Sequence, residues 1–258
     1  SKVISFYDDT QSSFTNFAMS GIDKRYMGLE LGLSVPIAWG LSLQGAVSLG
    51  DYIYTSNPEF TQMIDNSATD VVHSRVNWKG MKVESTPQTA INVGLNFRGP
   101  NNWFASVDFN YYDRLYLSMN PMYRTEYLAN EIKRIYDWNN LETGRQKAYV
   151  VGIIDEIRQQ EDLGNAYTLS ASIGKNFRIK YKYTLGFSLQ VNNILNNQRI
   201  RTGGYEQMRL NKLSDPIIFP NADGEMVITK KPTTYSRFDS KYFYMNGINY
   251  YLNIYFRF

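Results

Sequence analysis

The sequence contains no cysteine, a single histidine and no run of about 18 apolar residues. Without cysteine there is no disulfide framework and no thiolate site. His73 has neither a cysteine nor a paired carboxylate to work with, which excludes the usual histidine chemistry of metal centres and acid–base catalysis. It reads as a solvated loop histidine, and with one histidine no Ser/His/acid set can be assembled, so no enzyme is expected. The missing apolar run excludes a transmembrane helix. Charge of either sign is in short supply too: 27 Lys and Arg stand against 24 Asp and Glu, a net +3, scattered along the chain. That excludes the basic footprint of a nucleic-acid binder. Asp8-Asp9 and Asp223-Gly224-Glu225 lack the ligand spacing of a calcium loop and read as turns. Gly203-Gly204 has no strand–loop–helix setting and is no phosphate cradle. No cofactor or metal is expected. Neither an initiator Met nor a signal peptide precedes Ser1, as expected of a processed or partial chain.

What is present is a period of two. The segment 247–258 puts Ile248, Tyr250, Leu252, Ile254, Phe256 and Phe258 on one face, and Gly247, Asn249, Tyr251, Asn253, Tyr255 and Arg257 on the other. Similar alternation marks 23–37, 39–54, 88–98, 102–117, 165–178 and 182–194. A segment near 2–7 has no clean face but completes about eight strands. The mean hydropathy of −0.40 fits strands with one watered face and polar connections. Aromatic residues are abundant, with 21 Tyr, 14 Phe and 4 Trp. Many sit at strand ends: Trp39, Tyr52, Tyr54, Trp103, Tyr111, Tyr112, Tyr181, Tyr183, Tyr242, Phe243 and Tyr244. Amphipathic rings collect at membrane–water boundaries.

The connections alternate strictly between short and long. Tight turns are expected at Val35–Trp39, Arg98–Asn102 and Phe177–Tyr181, and long segments near 8–22, 55–87, 118–164 and 195–240. Outer-membrane barrels have short turns on the periplasmic side and long loops outside. Within the loops, 123–138 and 146–160 carry apolar residues at helical spacing, and Pro216–Pro232 suggests a hairpin turning at Asp223-Gly224. Asp155-Glu156 and Glu161-Asp162 read as the wet face of the second helical segment.

The expectation is an all-β chain: an antiparallel transmembrane β-barrel in a Gram-negative outer membrane, a single domain over residues 1–258. The water-facing lining is expected to comprise Glu30, Gln44, Asn92, Asn96, Asp108, Gln190, Asn192, Asn249, Tyr251, Asn253 and Arg257. The lipid-facing surface is expected to comprise Leu29, Leu31, Leu43, Val93, Leu95, Leu185, Leu189, Leu252, Ile254, Phe256 and Phe258. Lipid and lipopolysaccharide are then natural partners. Lys230-Lys231 and Arg237 are cations able to meet the latter, though a solvated charged loop is the commoner reading.

Leu189-Gln190-Val191-Asn192-Asn193-Ile194-Leu195-Asn196-Asn197 resembles the V-x-N-L-F-N segment near the end of TonB-dependent outer-membrane transporters. Thr86-Pro87-Gln88-Thr89 resembles the T-P-x-x that opens a downward strand there. Phe109-Asn110-Tyr111-Tyr112-Asp113-Arg114 and Tyr255-Phe256-Arg257-Phe258 are similar to the same family, in the form that carries a carboxypeptidase-regulatory-like domain at its front. The likeness covers most of the chain. It implies a 22-stranded barrel with an N-terminal plug, energised by TonB, of which this chain resembles the C-terminal third. The plug and the TonB box are absent from this sequence. The resemblance implies uptake of a scarce, bulky nutrient such as a metal chelate, a glycan or a peptide. Its implied partners are the rest of the barrel, the plug, TonB and a surface lipoprotein captured by the long loops. A self-contained eight-stranded barrel with a structural or adhesive role is the alternative. Small residues on the polar faces argue against it, because eight strands need bulky side chains to fill them.

Overall fold

The computed structural model describes residues 2–8, 13–65, 71–180, 182–208, 210–213, 217–220, 223–230 and 234–258. The strands in chain order are β1 (Lys2–Asp8), β2 (Ser13–Ser20), β3 (Lys24–Ala38), β4 (Leu41–Tyr54), β5 (Glu59–Ile64), β6 (Val71–Arg75), β7 (Thr89–Arg98) and β8 (Trp103–Asp113). Two helices follow, α1 (Glu126–Ile135) and α2 (Gly144–Arg158). Then come β9 (Ala166–Ile179), β10 (Tyr183–Asn192), β11 (Arg201–Tyr205), β12 (Leu210–Leu213), β13 (Ile217–Pro220), β14 (Met226–Lys230), β15 (Thr234–Arg237), β16 (Lys241–Tyr244) and β17 (Asn249–Arg257).

The long alternating segments join into one seven-stranded antiparallel sheet of order β17-β10-β9-β8-β7-β4-β3, an up-and-down meander. The register carries like residues into rows. Val35, Leu43, Leu95, Val107, Ala171, Val191 and Tyr250 lie on successive strands in one row, and Phe97, Ala105, Ile173, Leu189 and Leu252 in the next. On the opposite face Asn96, Ser106, Ser172, Gln190 and Tyr251 align. Because strand side chains alternate, one register fixes both faces at once. The sheet is open, with β3 and β17 at its two edges. Pro36 lies in edge strand β3, beside a register shift, where its missing N–H is tolerated.

The tight turns all lie at one end of this sheet. At the β3–β4 turn, Trp39 and Gly40 have φ of 50° and 80°. Positive φ at both central residues matches the right-handed twist of the flanking strands. Gly40 O accepts from Arg98 N at 2.8 Å, and a Cβ on Gly40 would run into the Arg98 carbonyl. The neighbouring turn is tied across to β9 by Asn102 Nδ2 donating to Asn176 O, 3.4 Å.

The other end carries a structured module. A four-stranded sheet of order β1-β2-β5-β6 packs Phe17, Met19 and Phe60 against Tyr54, Val76, Trp78, Val83 and Met119. The helices pack Leu128, Ala129 and Ile132 against Val150, Ile154 and Ile157, with Tyr123 and Tyr136 closing the cluster. Thr125 caps α1, its Oγ1 accepting from Leu128 N at 3.0 Å. Thr143 and Gln146 form a capping box at the start of α2. Three short antiparallel pairs, β11–β16, β12–β15 and β13–β14, are nested one within the next along the last connection.

Several expectations need correction. The main sheet has seven strands, not eight, because the first segment pairs with β2 in the separate four-stranded sheet. Residues 114–117 do not continue β8: Arg114 adopts φ of 55°, which breaks the extended run. Tyr54 is not at an exposed boundary but 1% exposed beneath Trp78. Glu161 lies beyond the end of α2 rather than on its wet face. The expected hairpin at 216–232 corresponds to β13 and β14. Asp9, Tyr181, Pro216, Lys231 and Pro232 lie outside the described residues.

Candidate functional site

The residues singled out for water and for lipid divide between the two faces of the seven-stranded sheet. Glu30, Gln44, Asn92, Asn96, Asp108, Gln190, Asn192, Asn249, Tyr251, Asn253 and Arg257 share one face by register. Leu29, Leu31, Leu43, Val93, Leu95, Leu185, Leu189, Leu252, Ile254 and Phe256 share the other, and the Phe258 ring follows 6.4 Å from Phe256.

The polar face is knitted by side-chain hydrogen bonds between strands. Gln44 Nε2 donates to Asp108 Oδ1 at 3.3 Å, Asn92 Nδ2 to Asn110 Oδ1 at 2.9 Å, and Asn192 Nδ2 to Asn249 Oδ1 at 3.0 Å. Ser106 and Ser172 hydroxyls meet at 2.9 Å, and Tyr255 Oη donates to Asn176 Oδ1 at 2.7 Å. The expectation of a lining made of small residues is incomplete. The rings of Tyr52, Phe104 and Tyr255 lie over Gly50, Gly174 and Gly186, where a Cβ would collide with them. Concavities open on this face, the largest of about 540 Å³ beside Asn96, Ser106, Ser172 and Asn176. One of about 430 Å³ lies beside Glu30, Ser48, Asn92, Asn110 and Tyr112. Another of about 370 Å³ is lined by Thr168, Ser170, Asn192, Thr202, Tyr244 and Asn249. Amides, hydroxyls and ring edges of this kind form hydrogen bonds with neutral polar groups.

Among the described residues nothing covers the apolar face. Leu31 is 64% exposed, Leu252 61%, and even on central strands Val93 and Ile173 are 46% and 47% exposed. A contiguous apolar surface across a whole sheet is far beyond the patches that water-soluble monomers leave open.

The motifs that carried the resemblance have definite local roles. Gln88 is buried and extends the ladder, Nε2 donating to Tyr52 O at 3.1 Å. Arg114 Nη2 donates to Gln88 O at 3.1 Å and Thr89 Oγ1 at 2.8 Å, so the T-P-x-x strand start and the Phe109–Arg114 segment lock together. Asn193, also buried, donates to Asn246 O at 2.9 Å and seals the end of β10 against the approach to β17.

The loop-end module is held by two carboxylates that the sequence did not single out for this. Glu206 is buried; it accepts from Arg124 Nη1 at 2.5 Å and Nη2 at 2.8 Å, from Arg237 Nη2 at 2.7 Å and from Asn120 N at 2.7 Å. Arg124 also donates to Asn120 O and Gln159 O. Arg237, read from sequence as a solvated cation, is therefore part of a buried clamp joining the last connection to the segments just before α1 and just after α2. Glu161 accepts from Tyr242 Oη, from Ser240 Oγ at 2.8 Å and from Arg201 Nη1 at 3.4 Å. Burial, and then the Glu161 carboxylate, push the Tyr242 hydroxyl pKa up. Burial lowers that of Arg158, and burial followed by Tyr149 pushes Tyr136 to about 12.

His73 lies on β6, its Nδ1 3.0 Å from Thr61 Oγ1. It borders a cleft of about 590 Å³ on the outer face of the four-stranded sheet, with Glu59, Arg75 and Glu126. Among the described residues no cluster of His, Asp or Glu is arranged to hold a metal ion, and no helix is long and apolar enough to cross a membrane. No protein-family model matches the chain, and neither does any curated protein or solved structure.

Proposed function

We propose that this chain is part of the β-barrel of an outer-membrane transporter of the TonB-dependent kind, taking up a scarce, bulky nutrient such as a metal chelate, a glycan or a peptide. The observation that carries the reading is the pairing of an uncovered apolar face with a hydrogen-bonded polar face on one long-stranded meander. Lipid is the solvent that suits the first face and a hydrated conduit the second. The segregation of tight turns from long, structured connections supports the same orientation, with the α1–α2 module and the short hairpins outside the cell. On this reading the protein performs no chemistry on its cargo. The polar face provides hydrogen bonds, and the loop-end module receives the ligand or a surface lipoprotein.

The strand count argues against direct closure of these seven strands on themselves. With seven antiparallel strands, β3 and β17 run in the same direction. Joining them directly would need a parallel pair, which bacterial outer-membrane barrels with even strand numbers avoid. Unpaired edges in hydrocarbon cost several kcal/mol per orphaned backbone group. Closure therefore needs an odd number of further strands, the outermost running antiparallel to β3 and to β17.

The test is growth of a strain lacking the gene on media limiting in iron chelates, glycans or peptides, beside a strain lacking TonB. Failure on one nutrient class in both strains is the expected result. Growth equal to the parent on every medium would remove the transporter reading.

A further inference from the structure

The turn end of the sheet differs from the rest of the molecule in charge. The segments 35–42, 96–106, 174–185 and 253–258 contain Arg98, Lys175, Arg178, Lys180, Lys182 and Arg257, and no Asp or Glu. That leaves 21 of the 27 basic residues elsewhere to face all 24 acidic ones. At the opposite end of the same sheet Asp51 pairs with Lys82 at 2.7 Å and Arg25 at 3.2 Å.

By register Arg98, Arg178 and Arg257 stand on the polar face, whereas Lys175 and Lys182 adjoin the apolar face. Lys175 projects from that face itself, in register with Trp103 on one side and Phe187 on the other. Its Nζ lies 4.8 Å from the Trp103 ring and 4.9 Å from that of Phe177. Lys182 Nζ lies 5.5 Å from the Tyr183 ring, which stacks on Phe256. Trp39, at the tip of the adjacent turn, is 94% exposed. Lysines with apolar stems laid along rings keep their ammonium groups at the level where hydrocarbon gives way to water.

We propose that this collar binds the headgroups of anionic phospholipids, with Lys175 and Lys182 on the phosphate and the rings of Trp103, Phe177, Tyr183 and Phe256 against the upper acyl chains. The inference rests on the membrane reading above. Lipid fits the collar better than a protein partner does, because Lys175 and Lys182 lie along the border of the uncovered apolar face and acyl chains continue onto it. Cations at a membrane surface favour anionic lipid by roughly fivefold each.

The test is quenching of tryptophan fluorescence in the intact protein in neutral detergent, titrated with brominated phosphatidylglycerol or brominated phosphatidylcholine. Trp39 and Trp103 lie at the collar and report contact with either lipid. The phosphatidylglycerol curve should saturate at a concentration at least fivefold lower. The Lys175→Gln/Lys182→Gln variant should bring the two curves together while phosphatidylcholine still quenches, and Lys175→Arg/Lys182→Arg should keep them apart. Coincident curves in the parent protein, or a preference unchanged in the glutamine variant, would overturn the headgroup site alone. No quenching by either lipid would overturn the membrane reading, and this inference with it.

Discussion

Glu206→Ala is expected to be the most damaging single change in the loop-end module. Glu206 and Arg124 are 1% and 0% exposed at their side chains, so neither charge has water to fall back on. The carboxylate receives both guanidinium nitrogens of Arg124, one of Arg237 and the Asn120 amide. Removing it strands the Arg124 charge in the interior, which costs about 3–5 kcal/mol, whereas replacing both partners by apolar groups is often nearly neutral. Arg124→Met/Glu206→Leu should therefore recover much of what Glu206→Ala loses. Arg237, 22% exposed, has partial access to water, and Arg237→Ala should cost about 1–2 kcal/mol. Hydrogen exchange of the α1 and α2 amides, with urea unfolding of the reconstituted protein, measures these differences. Arg124→Ala and Glu206→Ala should show a coupling of about 2 kcal/mol or more in the double mutant. Additive single effects, or a double replacement as unstable as Glu206→Ala, would refute the idea that one buried ionic clamp holds the module.

Three further outcomes are expected. Leu252→Arg, at mid-strand on the apolar face, should cost about 2–4 kcal/mol in lipid-vesicle folding, and Asn253→Arg much less; the reverse ranking would invert the faces. Gly40→Ala should cost about 2 kcal/mol and lose exchange protection at the Arg98 amide, because it forces an L-residue into positive φ against a carbonyl. Tyr136 ionises near 12 in the folded chain and near 10 when unfolded. The neutral form is thus favoured by folding. That stability is complete below pH 10 and lost as pH rises toward 12, so alkaline unfolding of the helical module should move to higher pH in Tyr136→Phe, followed by circular dichroism.

The sheet was legible because a period of two exposes face assignment directly: Leu185, Phe187 and Leu189 against Gly186, Ser188 and Gln190 need no other information. The tight turns were legible from length, although the first lies at Trp39-Gly40, past Val35–Ala38, which belong to β3. Strand ends were not: Arg114 and Asn193 take left-handed conformations, held in part by hydrogen bonds to residues distant in sequence. The first strand lacked a clean face because it belongs to the edge of a second sheet, a fact set by its pairing with β2 and carried by no periodicity. The Arg124–Glu206 clamp joins residues 82 apart, and Glu161 meets Tyr242 across 81. Such pairs leave no local pattern. Glu161 was misplaced on a helix face for the same reason: helical spacing runs on past Arg158, but the hydrogen bonds do not.

The central claim, that hydrocarbon covers one face of the sheet and water the other, is tested most directly by a nitroxide scan along β9 from Leu169 to Gly174 in the reconstituted protein. Collision with oxygen, which concentrates in lipid, should peak at positions 169, 171 and 173. Collision with a water-soluble nickel complex should peak at 170, 172 and 174. Equal access of the nickel complex to both sets, or low access of both reagents to the apolar set, would contradict the account and place a protein or solvent surface where lipid is required.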